Sequence, residues 1–198
     1  MALVIVGLGN PGKEYEKTRH NAGRMAVELL TREDGLGEFT FNKTANALVL
    51  KEVVANESAT VVLPETMMNA SGKAVRAFVK SPKAAKQLIV IHDDLDLPLG
   101  TVKMVFGRGS GGHKGVESIQ RALKTKDFAR IRIGVAPSGK KNQAKKLNDE
   151  EKVIRHVIGK FKPAEEEVLK RVLKKAAEGA RIFAAAGIVP ATMFVNTK

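Results

Sequence analysis

The sequence predicts a single α/β domain, and three observations carry that reading. Two continuous apolar runs, residues 2–6 and 88–91, are each cut off by turn residues. Amphipathic segments at helical spacing alternate with such runs, and one pair of β-rich stretches is joined by a short polar turn. An unbroken apolar run of strand length fits a strand covered on both faces, as in a parallel sheet flanked by helices. The joined pair adds some antiparallel pairing. At 198 residues with 43% apolar content, the chain is long enough for one domain with a sizeable core.

The first strand, 2–6, breaks at Gly7-Leu8-Gly9-Asn10-Pro11-Gly12. Turn chemistry there sets Asn10 exposed at the strand's carboxyl end, the edge at which open α/β sheets bind ligands. A polar passage through Tyr15 then returns Thr18-Arg19-His20-Asn21 over the same edge, as the floor of an active site. Asn21 is placed to cap a helix over about 22–33, with Ala22, Met25, Ala26, Leu29 and Leu30 on its apolar face and Gly35 and Gly37 ending it. Residues 46–54 and 59–63 form the hairpin around Ala55-Asn56-Glu57-Ser58. The stretch 64–69 leads into a helix from about 70 to 80 that buries Ala74, Val75, Phe78 and Val79.

The second buried strand, 88–91, ends in His92-Asp93-Asp94-Leu95-Asp96 and a turn at Pro98 and Gly100. A strand over 102–106 opens into a glycine-rich loop, 107–115, then a short helix with Val116, Ile119 and Leu123 inward, then a strand over 131–135. Residues 137–150 read as a mobile basic loop. A long C-terminal helix runs from Pro163 to Gly187, proline first and glycine last, with Glu165, Glu166 and Glu167 in the turn that the helix dipole favours for acids. No internal repeat is visible.

Composition narrows the chemistry. There is no cysteine, which removes disulfides and thiolate metal sites. With no tryptophan and one tyrosine, Tyr15, an aromatic platform for stacking bases is a poor expectation. The formal net charge is +13, and residues 137–198 hold 14 Lys and Arg against 7 Asp and Glu. That excess points to a polyanionic partner, or to a solvated basic face. No export signal is evident, and 184–189 is too short to span a bilayer, so a soluble intracellular protein is expected.

Gly7-x-Gly9-x-x-Gly12 matches the dinucleotide fingerprint by letter but not by context. Pro11 interrupts it, and the charged stretch 13–20 stands where a helix should open onto a pyrophosphate. His20 lies in a polar loop, and Asp93 follows a buried strand directly. A carboxylate that accepts one imidazole N–H leaves the other nitrogen free as a general base. With no cysteine and no serine in a nucleophile elbow, water is the attacking group. Asn10 and Asn69, each at an element end, can donate to a developing oxyanion or serve as plain turn residues. Asp93, Asp94 and Asp96 beside His92 leave open a Mg²⁺ or Mn²⁺ site, hence a metal-dependent phosphohydrolase, or an Asx turn. On the long helix Lys170, Arg171, Lys174 and Lys175 make a basic stripe opposite Val168, Val172, Leu173, Ala176, Ala180 and Phe183. With Lys140, Lys141, Lys145 and Lys146 it forms an electrostatic track beside the cleft.

Several blocks together resemble the bacterial-type peptidyl-tRNA hydrolase family. They are Val6-Gly7-Leu8-Gly9-Asn10-Pro11-Gly12 with Tyr15, Thr18-Arg19-His20-Asn21-Ala22-Gly23, Met68-Asn69-x-Ser71-Gly72, His92-Asp93-Asp94-Leu95-Asp96 and Gly111-Gly112-His113-x-Gly115, in the family's order and spacing. The resemblance implies a mixed twisted sheet flanked by helices, and hydrolysis of the ester between a peptide and the 3′ ribose of tRNA, freeing tRNA for translation. It implies no metal or other cofactor, the acceptor end of tRNA as partner, no membrane, and a cytoplasmic monomer. In the family's pattern His20 activates water, Asp93 orients it and Asn10 holds the peptide next to the ester. Asn69 binds the peptide backbone, Tyr15, Met67 and Met68 line the cleft, and His113 and Lys114 complete the substrate-binding set. Lys114 stands where the family usually has an asparagine. The family's clamp on the tRNA 5′-phosphate pairs a lysine, here Val105, with an arginine, here Arg132. Lys103 or Arg108 is the expected substitute. A non-catalytic RNA-binding protein of the same fold is the rival that the Lys114 change admits.

Overall fold

The computed structural model describes residues 3–137, 143–144 and 149–197. Seven strands form one mixed sheet in the order β2-β3-β4-β1-β5-β7-β6, where β1 is Leu3–Gly7, β2 Thr40–Asn42, β3 Ala47–Val54, β4 Glu57–Pro64, β5 Leu88–Pro98, β6 Val102–Phe106 and β7 Ala129–Ala136. The four central strands are parallel, and antiparallel pairs close both ends. The expected single α/β domain is thus present, with β2 unforeseen. The β3–β4 turn needs only Ala55 and Asn56, both at positive φ, which suits a two-residue turn matched to strand twist.

Side chains of the central strands alternate between two cores. Leu3, Ile5, Ile89, Ile91, Ile131 and Ile133 pack under α1 (Ala22–Glu33), α6 (Glu166–Ala186) and α7 (Ile188–Asn196). Val4, Val6, Val90 and Phe128 pack under α2 (Ser71–Arg76), α3 (Pro82–Ala85) and α4 (Lys114–Leu123). Covering on both faces explains why the central strands read as unbroken apolar runs.

Several boundaries differ from expectation. The helix expected over 70–80 ends at Arg76, where Ala77 and Phe78 turn to i→i−3 bonds on Ala74 and Val75, Phe78 is only half-buried, and Pro82 opens the separate α3. The last helix expected stops at Gly187 as foreseen, but α7 follows and wraps the sheet edge. There the Asn196 side chain accepts from Met104 N–H (2.8 Å) and donates to its carbonyl (3.1 Å), occupying the open edge of β6 as a strand would. An unforeseen helix, α5 (Glu150–Val157), is capped by Asp149. Most of the expected basic loop, with Lys140, Lys141, Lys145 and Lys146, lies outside the described residues.

The feature that matters most for chemistry is a difference in strand length. β1 pairs with β5 only as far as Gly7 and Ile91, whereas β5 continues against β7 through Asp93 and Asp94. His92, Asp93 and Asp94 therefore sit inside a strand, not after its end as expected, yet beyond the last residue of β1. Helix α1 lies close on this step because Gly23 presses on the Ile91 carbonyl, where any Cβ would collide. That contact fixes the segment just before it, His20 and Asn21, over the protruding end of β5.

Candidate active site

Strand alternation turns Asp93 toward the α1 side and His92 and Asp94 toward the α4 side. Asp93 is 2% exposed and accepts from two imidazoles. His20 Nδ1 lies 2.9 Å from Oδ1 and 3.0 Å from Oδ2, and His113 Nε2 lies 2.9 Å from Oδ1. The tautomers follow from the partners. His113 Nδ1 accepts the backbone N–H groups of Gly115 and Val116 (3.2 and 3.3 Å), capping α4, so its proton is on Nε2 and points at Asp93. His20 donates through Nδ1, which leaves its Nε2 lone pair free.

Burial alone would raise the Asp93 carboxyl, but the His20 imidazole beside it and the hydrogen bonds from His20 and His113 outweigh it and hold the group well below the usual carboxylate range. Burial likewise works against the His20 imidazolium, and the Asp93 charge and hydrogen bond overcome it, raising His20 above its ordinary value. This is a base steered and strengthened by a buried anion.

A second buried group supports the site from below. His92, fully buried, is held well below its ordinary value chiefly by that burial, with the Arg130 charge beside it acting in the same direction. Its Nδ1 donates to the Asp93 carbonyl (2.6 Å), its Nε2 accepts from Arg130 Nη1 (3.1 Å), and its ring meets that of His113 edge-on at 4.6 Å. Arg130 Nη2 also donates to the Gly109 carbonyl at 2.6 Å, holding the glycine-rich loop against the sheet. Sequence reasoning gives neither His92 nor Arg130 a role. Their only signal is a polar residue at a position where alternation within a buried strand calls for an apolar one.

His20, Asp93 and His113 bring their ligand-type atoms within 4.8 Å of one another. The donor set nevertheless suits protons better than a metal: a lone pair on His113 Nε2 would require a proton on Nδ1, facing two backbone N–H groups. The carboxylates of Asp94 and Asp96 do not join Asp93. Asp94 Oδ2 accepts from Arg132 Nε (2.7 Å) and its Oδ1 accepts the Asp96 N–H (2.8 Å), an Asx turn. The glycine fingerprint also meets no helix, since α1 begins only at Ala22.

Asn10 is buried at 5% rather than exposed. Asn21 explains this. Instead of capping α1, its side chain accepts Asn10 N–H (2.8 Å) and donates to the Asn10 carbonyl (3.0 Å). Asn10 Oδ1 accepts Met68 N–H (2.8 Å), which leaves its Nδ2 as the free donor. Met68 is buried against Gly115, beside His113, while Met67 and Asn69 are exposed at the same chain turn. Tyr15 is half-buried. Arg19, next to His20, is a further unforeseen anchor. It donates to the Lys160 carbonyl (2.8 Å), pairs with Glu165 (2.8 Å) and stacks over Phe161, tying the His20 loop to the start of α6.

His20, Asp93, His113 and Lys114 open on a cleft of about 530 Å³ whose far wall is α5, through Val153, Ile154 and Val157. Sequence reasoning missed α5, whose signal is Asp149 before two acids and an apolar face at Val153, Ile154 and Val157. Among the residues expected on the nucleic acid, Arg108 is exposed, Arg132 pairs with Asp94, and Lys103 donates to the Asn196 carbonyl (3.0 Å). Lys170, Arg171 and Lys174 are exposed, but Lys175 donates to the Thr197 carbonyl and Val168 is only half-buried.

Comparison with known proteins completes the description. The sequence profile of the family described as peptidyl-tRNA hydrolase matches residues 4–198. The chain is 36% identical over 195 residues to a peptidyl-tRNA hydrolase of Prochlorococcus marinus, covering 98% of this chain and 93% of that protein. It is 42% identical over 175 residues to one of Aquifex aeolicus, covering 87% and 85%. Its fold is similar to the crystal structure of the Acinetobacter baumannii peptidyl-tRNA hydrolase, with a TM-score of 0.86 at 31% identity, covering 99% and 95% of the two chains.

Proposed function

The chain belongs to the peptidyl-tRNA hydrolase family, and from that premise we propose that His20 is the general base and Asp93 its orienting partner. The protein is a hydrolase whose substrate is peptidyl-tRNA, so tRNA is its partner. Among the described residues no helix is long and apolar enough to cross a membrane.

In this reading His20 Nε2 takes a proton from water as the water oxygen bonds to the ester carbonyl carbon. Asp93 stabilises the imidazolium that results. The carbonyl oxygen becomes an oxyanion, for which the free Asn10 Nδ2 is the proposed donor. Collapse expels the 3′ ribose oxygen, which takes the proton back from His20, leaving a free peptide acid and tRNA. Asn69 binds the peptide backbone, and Tyr15, Met67 and Met68 line its path. His113 holds Asp93, Lys114 donates to the substrate from the cleft rim, and Arg132 with Lys103 or Arg108 meets the tRNA phosphate. Lys170, Arg171, Lys174 and Lys175 add to that electrostatic hold. The reading takes residues 1–198 as one domain acting without cofactor or metal, as a cytoplasmic monomer.

The observation that carries the proposal is the 2.9 Å contact between His20 Nδ1 and Asp93, which leaves Nε2 free beside an open cleft. General-base catalysis is worth about 10²–10⁴-fold. His20→Ala is expected to lose that much in kcat on an N-acetylated aminoacyl-tRNA while keeping tRNA affinity. Near-normal hydrolysis by the variant ends the proposal.

A further inference from the structure

The early end of β1 leaves a backbone group of β5 to be satisfied in some other way. Ile91 offers the last carbonyl that β1 uses, accepting Leu8 N–H at 3.0 Å. Carbonyls on one edge of a strand recur every second residue, so the next one on that edge belongs to Asp93, beyond the reach of β1. A buried carbonyl needs a donor. His92 supplies it from the adjacent position, its Nδ1 donating at 2.6 Å. Asp93 thus takes N–H groups from three imidazoles: His20 and His113 on its carboxylate, His92 on its main chain.

Arg130 decides where the His92 proton sits. A guanidinium only donates, so Nη1, 3.1 Å from His92 Nε2, makes that nitrogen an acceptor and leaves the proton on Nδ1. Arg130 is 3% exposed and stands in register with the buried Val90. Among the described residues it has no ion pair; Asp94, on the same face, is held by Arg132. A charge buried without a counter-ion costs stability unless hydrogen bonds compensate it. The compensation here comes from His92 and from the Gly109 and Arg108 carbonyls, at 2.6 and 3.3 Å. A valine or isoleucine at 130 would suit the strand without that cost, and neither Arg130 nor His92 lines the cleft beside α5. Two polar side chains are therefore buried where they reach only the underside of the site.

We propose that His92 and Arg130 are positioning residues for the reaction. Arg130 holds the His92 proton on Nδ1, and His92 holds the main chain of Asp93, so the carboxylate that steers His20 is fixed at its backbone as well as at its oxygens. Without that donor the Asp93 peptide is free to turn toward another partner, and the carboxylate turns with it. This deepens the reading of His20 and Asp93 as base and orienter, and rests on it.

The test combines steady-state hydrolysis of N-acetylated aminoacyl-tRNA with proton NMR of the unliganded protein, following the low-field resonance of His20 Nδ1–H that reports its bond to Asp93. His92→Leu fills the space without a donor. It is expected to lower kcat by about 10–100-fold, with KM within about twofold of wild type, and to move the His20 resonance. His92→Asn, which keeps a nitrogen donor on Cγ, is expected to restore most of both. Arg130→Met is expected to lower kcat about fivefold in the native background. In the His92→Asn background it is expected to add nothing, because an amide keeps its hydrogens whatever faces it. A folded His92→Leu protein with kcat and resonance unchanged overturns the inference. So does an Arg130→Met loss of the same size in both backgrounds, which would assign the effect to the glycine-rich loop. Should His92→Leu not fold, the Arg130→Met pair carries the decision. A wild-type protein that shows the His20 resonance but no hydrolysis overturns the hydrolase reading instead, and the resonance in the variants still decides the positioning.

Discussion

Asp93→Asn tests the core of the mechanism, because the structure gives both its size and its signature. The carboxylate makes three short contacts: both oxygens to His20 Nδ1 and Oδ1 also to His113 Nε2. In the variant the amide oxygen stays on the Oδ1 side, where the His113 N–H demands an acceptor. His20 Nδ1 then keeps only a neutral amide oxygen, shared with His113, at 2.9 Å, and faces the NH₂ group, donor against donor, at the 3.0 Å now spanned by Oδ2. Loss of a hydrogen bond to a charged group costs about 1.5–3 kcal/mol, or about 10–150-fold in kcat. The facing NH₂ also favours a lone pair on Nδ1, which would move the proton to the nitrogen that must act as base, so the loss belongs toward the upper end. The base survives in part, and the variant should stay more active than His20→Ala. The pH signature is more specific. Burial pulls the His20 pKa down and Asp93 pushes it up, and in the native site Asp93 wins. Without the carboxylate only burial remains, so the ascending limb of kcat/KM against pH should move to lower pH as its plateau falls. Steady-state hydrolysis of N-acetylated aminoacyl-tRNA from about pH 5 to about pH 9 reads both effects. A limb that stays in place, or a plateau within about threefold of wild type, would show that Asp93 does not act on the base.

Two further outcomes separate holding from chemistry. His113→Asn keeps a good helix cap on α4 but withdraws the imidazole from Asp93, so stability should hold within about 1 kcal/mol while kcat falls about tenfold, as checked by urea unfolding beside kinetics. Asn21→Ala strands the buried N–H and carbonyl of Asn10, and is expected to cost about 2–4 kcal/mol in the same unfolding assay, with Asn21→Asp recovering the half that needs only an acceptor.

Much of this arrangement was legible in the sequence, for a local reason. Strand β1, helix α1 and the β3–β4 hairpin, though not the two-residue length of its turn, declare themselves through apolar run length, helical spacing and turn residues within a few positions. His20 and Asp93 were legible because each breaks an otherwise consistent local pattern. What local pattern cannot supply is the partner of a polar side chain across the fold. Asn21 has the chemistry of a helix cap and stands at the right place for one, but Asn10, eleven residues earlier, offers it two backbone groups that would otherwise be buried unpaired. His113 reads as a loop residue in front of a helix. Only the closure of β5 against α4 reveals that its two nitrogens do two separate jobs.

The location of the site follows from the order in which the strands enter the sheet. From β1 the chain travels outward to build β2, β3 and β4 on one side, then crosses to build β5 on the other. The carboxyl end of β1 is therefore the point where neighbouring connections leave in opposite directions, and a crevice opens there of necessity. Asn10 follows β1, Met67 to Asn69 follow β4, and Asp93 rides on β5 beyond the reach of β1. Three strands thus deliver groups to one crevice without any long loop having to find it. Extending β1 by pairing past Ile91 would fill that crevice with backbone, and the turn works against it: Pro11 has no N–H for a ladder, and Gly9, where a Cβ would meet the Asn21 side chain, lets the chain turn close onto Asn21. The same turn residues that end the first strand therefore keep open the space in which a water, an ester and an imidazole can meet.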